Sequence, residues 1–183
     1  MPPVAGPVHR LARVPVPLFQ GQTNDCGPFA LAAAATSLLG SEVTPVDAAR
    51  RLRFFRVPRL GATLPWGFLF AARALGLAAR GHWLGRLDDL KRAVDAGQIA
   101  AVIVHPDDWG RLPWHALHYR LVVGYRDDPA RPGGGDLYFT CSGTPTPSLP
   151  DELPGNVAVS YARFQAQWHT YLTPRWWARI DTP

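Results

Sequence analysis

The fold of this 183-residue chain is decided by one stretch near its start, QGQTNDCGPFALAAAATSLLG at residues 20–40. The alanine-rich run after Cys26 has strong helix propensity, and Pro28 suits a first helical turn, where its missing N–H leaves no bond unmade. Gly40 follows the run in the position of a helix stop. The stretch therefore predicts a helix over about 27–39, with Cys26 at its N-terminus.

Three further helices are predicted in the first half of the chain. Thr44, followed by a proline and then an acidic residue, is typical of a helix start, and this second helix extends to about Phe54. Thr63 is expected to cap a third helix over about 65–75. A fourth is predicted over about 87–96, with a glycine directly after it.

The second half of the chain changes to strand-like patterns. Tyr125 is expected to face about Leu137 in a hairpin. The predicted elements are strands at 99–104, 119–125 and 137–140, a short helix or turn at 161–168, and a final strand at 171–180. Helices followed by strands indicate an α+β fold, a helical lobe packed on an antiparallel sheet. We expect a single domain over 1–183, with an extended segment at 1–15.

Composition excludes several classes of protein. No run of about 18 apolar residues occurs, so no membrane span is expected. Prolines interrupt the N-terminal segment, which argues against a secretory signal and favours a cytoplasmic location. The two cysteines, Cys26 and Cys141, are too few for a disulfide-rich scaffold or a zinc site built from cysteines alone.

The net charge of +5 raises the question of a nucleic-acid partner. Lys91 is the single lysine among the 19 basic residues. Arginine in such excess, with many alanines and prolines, is typical of a GC-rich coding bias. We therefore expect no nucleic acid as partner. A basic structural protein remains a minor alternative. The arginine run within 50–59 is interpreted as a solvated face.

Cys26 and Gln20 form the first half of a candidate site. At a helix N-terminus the macrodipole and the free N–H groups favour a thiolate, so we expect a lowered pKa for the Cys26 thiol. Gly27 would let a substrate backbone approach closely. The side-chain amide of Gln20, six residues upstream, could donate to an oxyanion formed near the sulfur, with Gln22 as the alternative donor.

His118 is the candidate base. It stands at the start of a predicted strand, from which a rigid sheet could aim its imidazole at the helix end, and His115 is the alternative. A nucleophile on a helix and a base on a facing sheet is the arrangement of activated-thiol acyl transfer.

A zinc site is the competing interpretation of the same histidines. It would use His105, His115 and His118 with Asp107 or Asp108. The spacing is loose and no helix sets it, so we expect neither a metal nor another cofactor.

These residues resemble the papain-like cysteine peptidases, and more narrowly the bacterial branch that cuts double-glycine leader peptides from bacteriocins. The resemblance spans roughly 15–180 and rests on Gln20-x5-Cys26, residues 25–28 with the helix after them, residues 87–104, HYRLVVGY at 118–125 and Phe164-x3-Trp168. It implies a papain-like fold and a peptide or protein substrate. It also implies Cys26 as nucleophile, His118 as base, Gln20 as oxyanion donor and a thioester intermediate.

The sequence departs from that family at one position. The family carries an Asp-Pro whose aspartate orients the base, and Cys141-Ser142 stands there instead. In the predicted hairpin His118 faces residues near 141–144, whereas Asp136 is roughly 23 Å away at ~3.3 Å per residue. The residue that orients the base, the third member of the catalytic set, is therefore expected to be Cys141 or Ser142, with Thr144 or a backbone carbonyl as alternatives. A neutral partner stabilises an imidazolium less than a carboxylate does.

Several functional alternatives stay open at this stage. Besides a cysteine peptidase, the sequence allows a weakened or inactive peptidase-like domain that binds a peptide or partner, and a papain-fold acyl transferase. Either cysteine could instead be a plain core residue. A Cys26–Cys141 disulfide, formed under oxidation, would silence the site. Trp109 and Trp114 could wall a peptide groove. The substrate and the oligomeric state are not predicted.

Overall fold

The computed structural model describes residues 4–57, 61–105, 117–145 and 149–183. The helices in these ranges are α1 (Cys26–Leu39), α2 (Pro45–Leu52), α3 (Pro65–Ala74), α4 (Leu87–Asp95) and α5 (Tyr161–Trp168), with a 3₁₀ turn over Arg53–Phe55. The strands are β1 (Val8–Arg10), β2 (Ala78–His82), β3 (Ile99–Val104), β4 (His118–Asp127), β5 (Gly135–Cys141), β6 (Val157–Ser160) and β7 (Trp177–Asp181).

The strands form one antiparallel sheet in the order β2-β7-β3-β4-β5-β6, with β1 paired to the far half of β4. Val104 lies opposite His118, and Tyr125 lies opposite Leu137 as the hairpin register predicted. The α+β architecture expected from the sequence is confirmed. None of the helices in the described ranges is both long and apolar enough to cross a membrane.

The helix boundaries follow from local signals. Thr44 accepts a hydrogen bond from the N–H of Asp47 and so caps α2. Gly40 ends α1 with a φ of 68°, a left-handed conformation that favours glycine, and its N–H donates to the carbonyl of Thr36. The predicted α1, α2 and α4 agree with the structure within about two residues.

Helices cover both faces of the sheet. Successive side chains of β4 point to opposite faces, so neighbouring residues contact different helices. The ring of Tyr119 stacks on Phe68 of α3, with 4.8 Å between ring centroids. The guanidinium of Arg120 donates to the side chain of Gln167 in α5. The start of β4 is thus enclosed between α1 and α3 on one side and α5 on the other.

Two expectations about the elements are wrong, and the short strands β1, β2 and β6 were not predicted. Thr63 does not cap α3, since Leu64 occupies the N-cap position without a side-chain bond, and Thr63 is instead buried. Strand β2 was not predicted; its sequence AARGH is poor in residues that favour strands, and it forms by pairing with β7. The last strand is shorter than expected, because Thr170–Thr173 forms a turn.

Candidate active site

Cys26 is the first residue of α1, and its side chain lies at the start of β4. Hydrogen bonds from the backbone of Tyr119 and of Gly27 reach the sulfur. The residue is only 7% exposed. The thiol is therefore held beside Tyr119, the residue that directly follows His118 in the chain.

Burial determines the protonation state of this thiol. Burial raises the pKa of Cys26 to about 11, and the nearby Cys141 and Asp25 contribute to the rise. The two backbone hydrogen bonds lower the pKa, but by less than burial raises it. The expected lowering of the pKa by the helix N-terminus is therefore wrong: loss of hydration disfavours the thiolate more than the free N–H groups favour it. Cys26 is a neutral thiol at neutral pH.

His118 opens β4 and is 1% exposed. Its Nε2 lies 3.3 Å from the Sγ of Cys141. Burial lowers the pKa of His118 to about 3, and the nearby Arg120 cation contributes. The imidazole is therefore neutral at neutral pH, so a neutral thiol and a neutral imidazole are present together.

Of the two third-member candidates, Cys141 meets the histidine. It is the last residue of β5, is fully buried and lies opposite Arg120. Thr144 donates from its hydroxyl to the Cys141 sulfur at 3.7 Å. Ser142 instead donates to the side chain of Gln20. Cys26 and Cys141 are both free thiols in this structure.

Gln20 is buried in the loop before α1 and is bonded to the end of β5. Its Oε1 accepts from the Ser142 hydroxyl at 2.7 Å, and its backbone N–H donates to the Ser142 carbonyl at 2.9 Å. Its Nε2 donates to the carbonyl of Thr23 at 2.6 Å and carries a second N–H. The alternative donor, Gln22, is exposed.

Gly27 and Thr63 are in close contact beside the nucleophile position. A Cβ built on Gly27 would lie 2.3 Å from Thr63 Oγ1, which is buried and has no hydrogen-bond partner within the described ranges. We expected Gly27 to make room for a substrate backbone. Thr63 takes up that space, so the glycine is required by packing within the protein.

Asp25 and Arg56 form an ion pair next to Cys26 that sequence reasoning missed. Arg56 Nη2 binds the Asp25 carboxylate, and its Nε donates to the Gly61 carbonyl at 2.9 Å. The interpretation of the whole arginine run as a solvated face is thus wrong for Arg56. The sequence carries no signal for this pair, because its two residues lie 31 positions apart in the chain.

Asn156 was also missed, since it lies in a proline-rich stretch without any pattern. It is 1% exposed, and its Oδ1 accepts from the Cys141 N–H at 2.8 Å. Its Nδ2 donates to the carbonyls of Cys141 and Thr144. This single amide therefore fixes the backbone that carries the histidine's partner.

Some sequence candidates lie outside the described residues: Asp107, Asp108, Trp109, Trp114 and His115. Among the residues that the structure describes, no three metal-ligating side chains come together. His105 is described, and its backbone N–H donates to the carbonyl of Gln167.

No family model matches the chain, and no curated protein matches it in sequence. Solved structures do match. The peptidase domain of Streptococcus ComA, a bifunctional ABC transporter involved in quorum sensing, has a TM-score of 0.63 at 21% identity, over 93% of this chain and 99% of that one. A C39-like peptidase from Bacillus anthracis has 0.62 at 15%, over 93% and 98%.

A third solved structure is a double glycine motif protease from an AMS/PCAT transporter, in complex with the leader peptide. It has a TM-score of 0.58 at 18% identity, over 98% of this chain and 99% of that one. At these identities the likeness establishes the fold. The chain therefore has the papain-like fold of double-glycine peptidase domains, as the sequence motifs predicted.

Proposed function

We propose that this chain is a cysteine peptidase-like hydrolase that cleaves a peptide or amide bond with Cys26 as nucleophile and His118 as base. One observation carries the proposal. The buried sulfur at the head of α1 is hydrogen-bonded by the residue next to His118, and the Nε2 of that histidine meets a third side chain at 3.3 Å. A thiol is activated when a base takes its proton and a third group holds that base in position.

The reaction starts from neutral partners. Because Nε2 faces Cys141, the thiol proton of Cys26 passes to Nδ1 of His118 as the sulfur attacks the substrate carbonyl. The new C–S bond forms, the C–N bond breaks, and the imidazolium returns its proton to the leaving amine. Water, activated by the neutral imidazole, then hydrolyses the thioester and releases the acid and the free thiol.

The backbone N–H of Cys26 and the second N–H of Gln20 Nε2 are the proposed oxyanion donors. Gln20 is supported in this role by its burial and by its two bonds to Ser142, which hold the loop in front of α1. Rigid donors stabilise a developing charge better than mobile ones, because they need no reorganisation during the reaction. Gln20→Ala is expected to lower kcat about 100-fold.

The proposed substrate is a peptide or protein with two glycines before the cut. A neighbouring structure holds a leader peptide, and its enzyme is described as acting on a double glycine motif. In this chain Cys26 is 7% exposed and Thr63 is packed against Gly27. Such a narrow approach suits residues that have no side chain.

A peptide with Gly-Gly before an aminomethylcoumarin tests the proposal. The wild-type protein should release the fluorophore, and mass spectrometry should trap an acyl group on Cys26. Cys26→Ala should abolish both signals, and His118→Gln should lower the rate by at least about 100-fold. Fluorophore release that survives Cys26→Ala would exclude the proposed nucleophile.

A binding module without catalysis is the second candidate. It is favoured by the raised pKa of Cys26, to about 11, and by the Cys141 side chain in place of a carboxylate beside His118. Calorimetry with a Gly-Gly leader-like peptide would then show binding, and chromatography would show no product.

An acyl transferase is distinguished by adding an amine, whose amide would replace the acid as product. The free thiols fit a reducing compartment, so we place the activity in the cytoplasm.

A further inference from the structure

Four large apolar side chains are exposed on two neighbouring loops, at the end of the sheet where β2 ends and β7 begins. Trp83 is 53% exposed and Leu84 is 60% exposed, on the loop between β2 and α4. Tyr171 is 91% exposed and Leu172 is 50% exposed, on the loop between α5 and β7. Large side chains this exposed mark an interaction surface when they are grouped.

The two loops are hydrogen-bonded to each other. The N–H of Leu84 donates to the carbonyl of Pro174 at 3.3 Å, and the N–H of Gly85 donates to the carbonyl of Arg175 at 3.0 Å. Leu84 has a φ of 55° and Arg175 a φ of 47°, and both are strained for residues with a side chain. Such strain persists where the surroundings impose it, and it is concentrated at functional surfaces.

The tip that carries Tyr171 and Leu172 is a tight turn. The hydroxyls of Thr170 and Thr173 lie 2.7 Å apart, and the N–H of Thr173 donates to Thr170 Oγ1 at 3.0 Å. Both threonines are buried. The turn therefore presents its two apolar side chains on a fixed base.

Arginines surround these loops. Arg86, Arg92 and Arg179 line a depression of about 540 Å³ together with Trp83 and Leu84. Arg86 also lines a second depression of about 460 Å³, with Arg175 and His169.

Two features of these cations indicate an anionic ligand. Arg179, which lines the first depression, lies directly opposite Arg80 of β2, a like-charge pair that destabilises a sheet. In the described part of the chain, Arg175 Nε is buried without a hydrogen-bond partner. Asp88 and Asp89 are the acidic residues that line the two depressions, and Asp89 is already paired with Arg92.

We propose that the 83–84 and 171–172 loops dock this protein on an anionic lipid bilayer surface. The apolar side chains are half to nine-tenths exposed, which suits insertion between headgroups. Trp and Tyr are the residues that favour the membrane–water interface. The arginines in the depressions behind them would bind lipid phosphates. This proposal does not depend on catalysis by Cys26.

Co-sedimentation with vesicles tests the proposal. The wild-type chain should bind vesicles of phosphatidylglycerol and phosphatidylcholine, should not bind phosphatidylcholine alone, and should dissociate as NaCl is added. Bound protein should show a blue-shifted tryptophan emission that brominated lipid quenches. Trp83→Ser with Leu172→Ser should abolish the binding, and Arg86→Gln should weaken it about fivefold.

The matched control is Phe54→Ser. Phe54 is 78% exposed and has Arg53 stacked over its ring, so it offers similar chemistry on another surface. Binding should be unchanged in this variant, and thermal unfolding should show that every variant is folded. The proposal is overturned if anionic vesicles are not bound, if Phe54→Ser weakens binding as much as the loop variants do, or if a polyglutamate peptide binds the loops and vesicles do not.

Discussion

The imidazole Nε2 of His118 lies 3.3 Å from the thiol sulfur of Cys141. In the family that the motifs resemble, an aspartate is expected at this position. A carboxylate would stabilise the imidazolium that forms when the base takes a proton, and a thiol does so much less. Burial, with Arg120 contributing, leaves the proposed base, His118, with a pKa of about 3, and burial leaves the proposed nucleophile, Cys26, with a pKa of about 11.

Cys141→Asp should therefore increase activity. A carboxylate at this position would raise the pKa of His118 and favour proton transfer from Cys26. We expect kcat/KM for the Gly-Gly substrate to rise at least about tenfold. The pH profile of kcat/KM and the NMR titration of His118 measure the two effects.

Cys141→Asn is the control for this substitution, because asparagine has the shape of aspartate without its charge. It should give no gain in kcat/KM. Equal rates for the Asp and Asn variants, with both folded by circular dichroism, would contradict an electrostatic role for this position.

The local structure around Cys26 and His118 was predictable, because its signals are local. The helix start at Cys26 and the hairpin register of Tyr125 with Leu137 follow from neighbouring residues and from pairing rules. The raised pKa of Cys26 was not predictable, because burial depends on residues far away in the chain. The same holds for Arg56, which binds Asp25 from 31 positions downstream.

The buried His118 makes stability depend on acid pH. The unfolded chain takes up a proton on this residue near its ordinary pKa of 6.5, whereas the folded protein does so only near 3. Stability contributed by the neutral imidazole is therefore complete above pH 6.5 and is lost as the pH falls toward 3, at about 1.4 kcal/mol per pH unit. Urea unfolding should show this slope, and His118→Gln should flatten it. Parallel curves for the two proteins would refute the assignment.

At alkaline pH the buried thiol acts in the opposite direction. The unfolded chain ionises Cys26 near pH 9.0, whereas the folded protein keeps the thiol neutral to about 11. Stability should thus fall as the pH rises between these values, again by about 1.4 kcal/mol per unit. Tyrosines also titrate in this range, so the measurement is the difference between wild type and Cys26→Ala. A difference that does not change with pH would mean that the thiol is hydrated in solution.

Gly27→Ala should destabilise the protein by about 1–3 kcal/mol, because its Cβ would overlap Thr63. Thr63→Ala alone should cost little, since the lost hydroxyl has no hydrogen-bond partner in the described ranges. Thr63→Gly combined with Gly27→Ala should recover part of the loss. A double-mutant cycle of urea midpoints over Gly27→Ala, Thr63→Gly and the double variant measures this coupling, and additive effects would show that the two residues do not touch.

Asn156→Ala should separate the positioning of Cys141 from its chemistry. The substitution leaves the buried N–H of Cys141 without its acceptor and removes the donor to two carbonyls, at an expected cost of about 2–3 kcal/mol. Because the end of β5 would then move, the gain expected from Cys141→Asp should disappear in the double variant, although that variant still carries the carboxylate. Asn156→Asp is the matched control, since it keeps the acceptor for the Cys141 N–H and should retain part of the gain. If the full gain persists with alanine at position 156, strand pairing alone holds the partner of His118 in place.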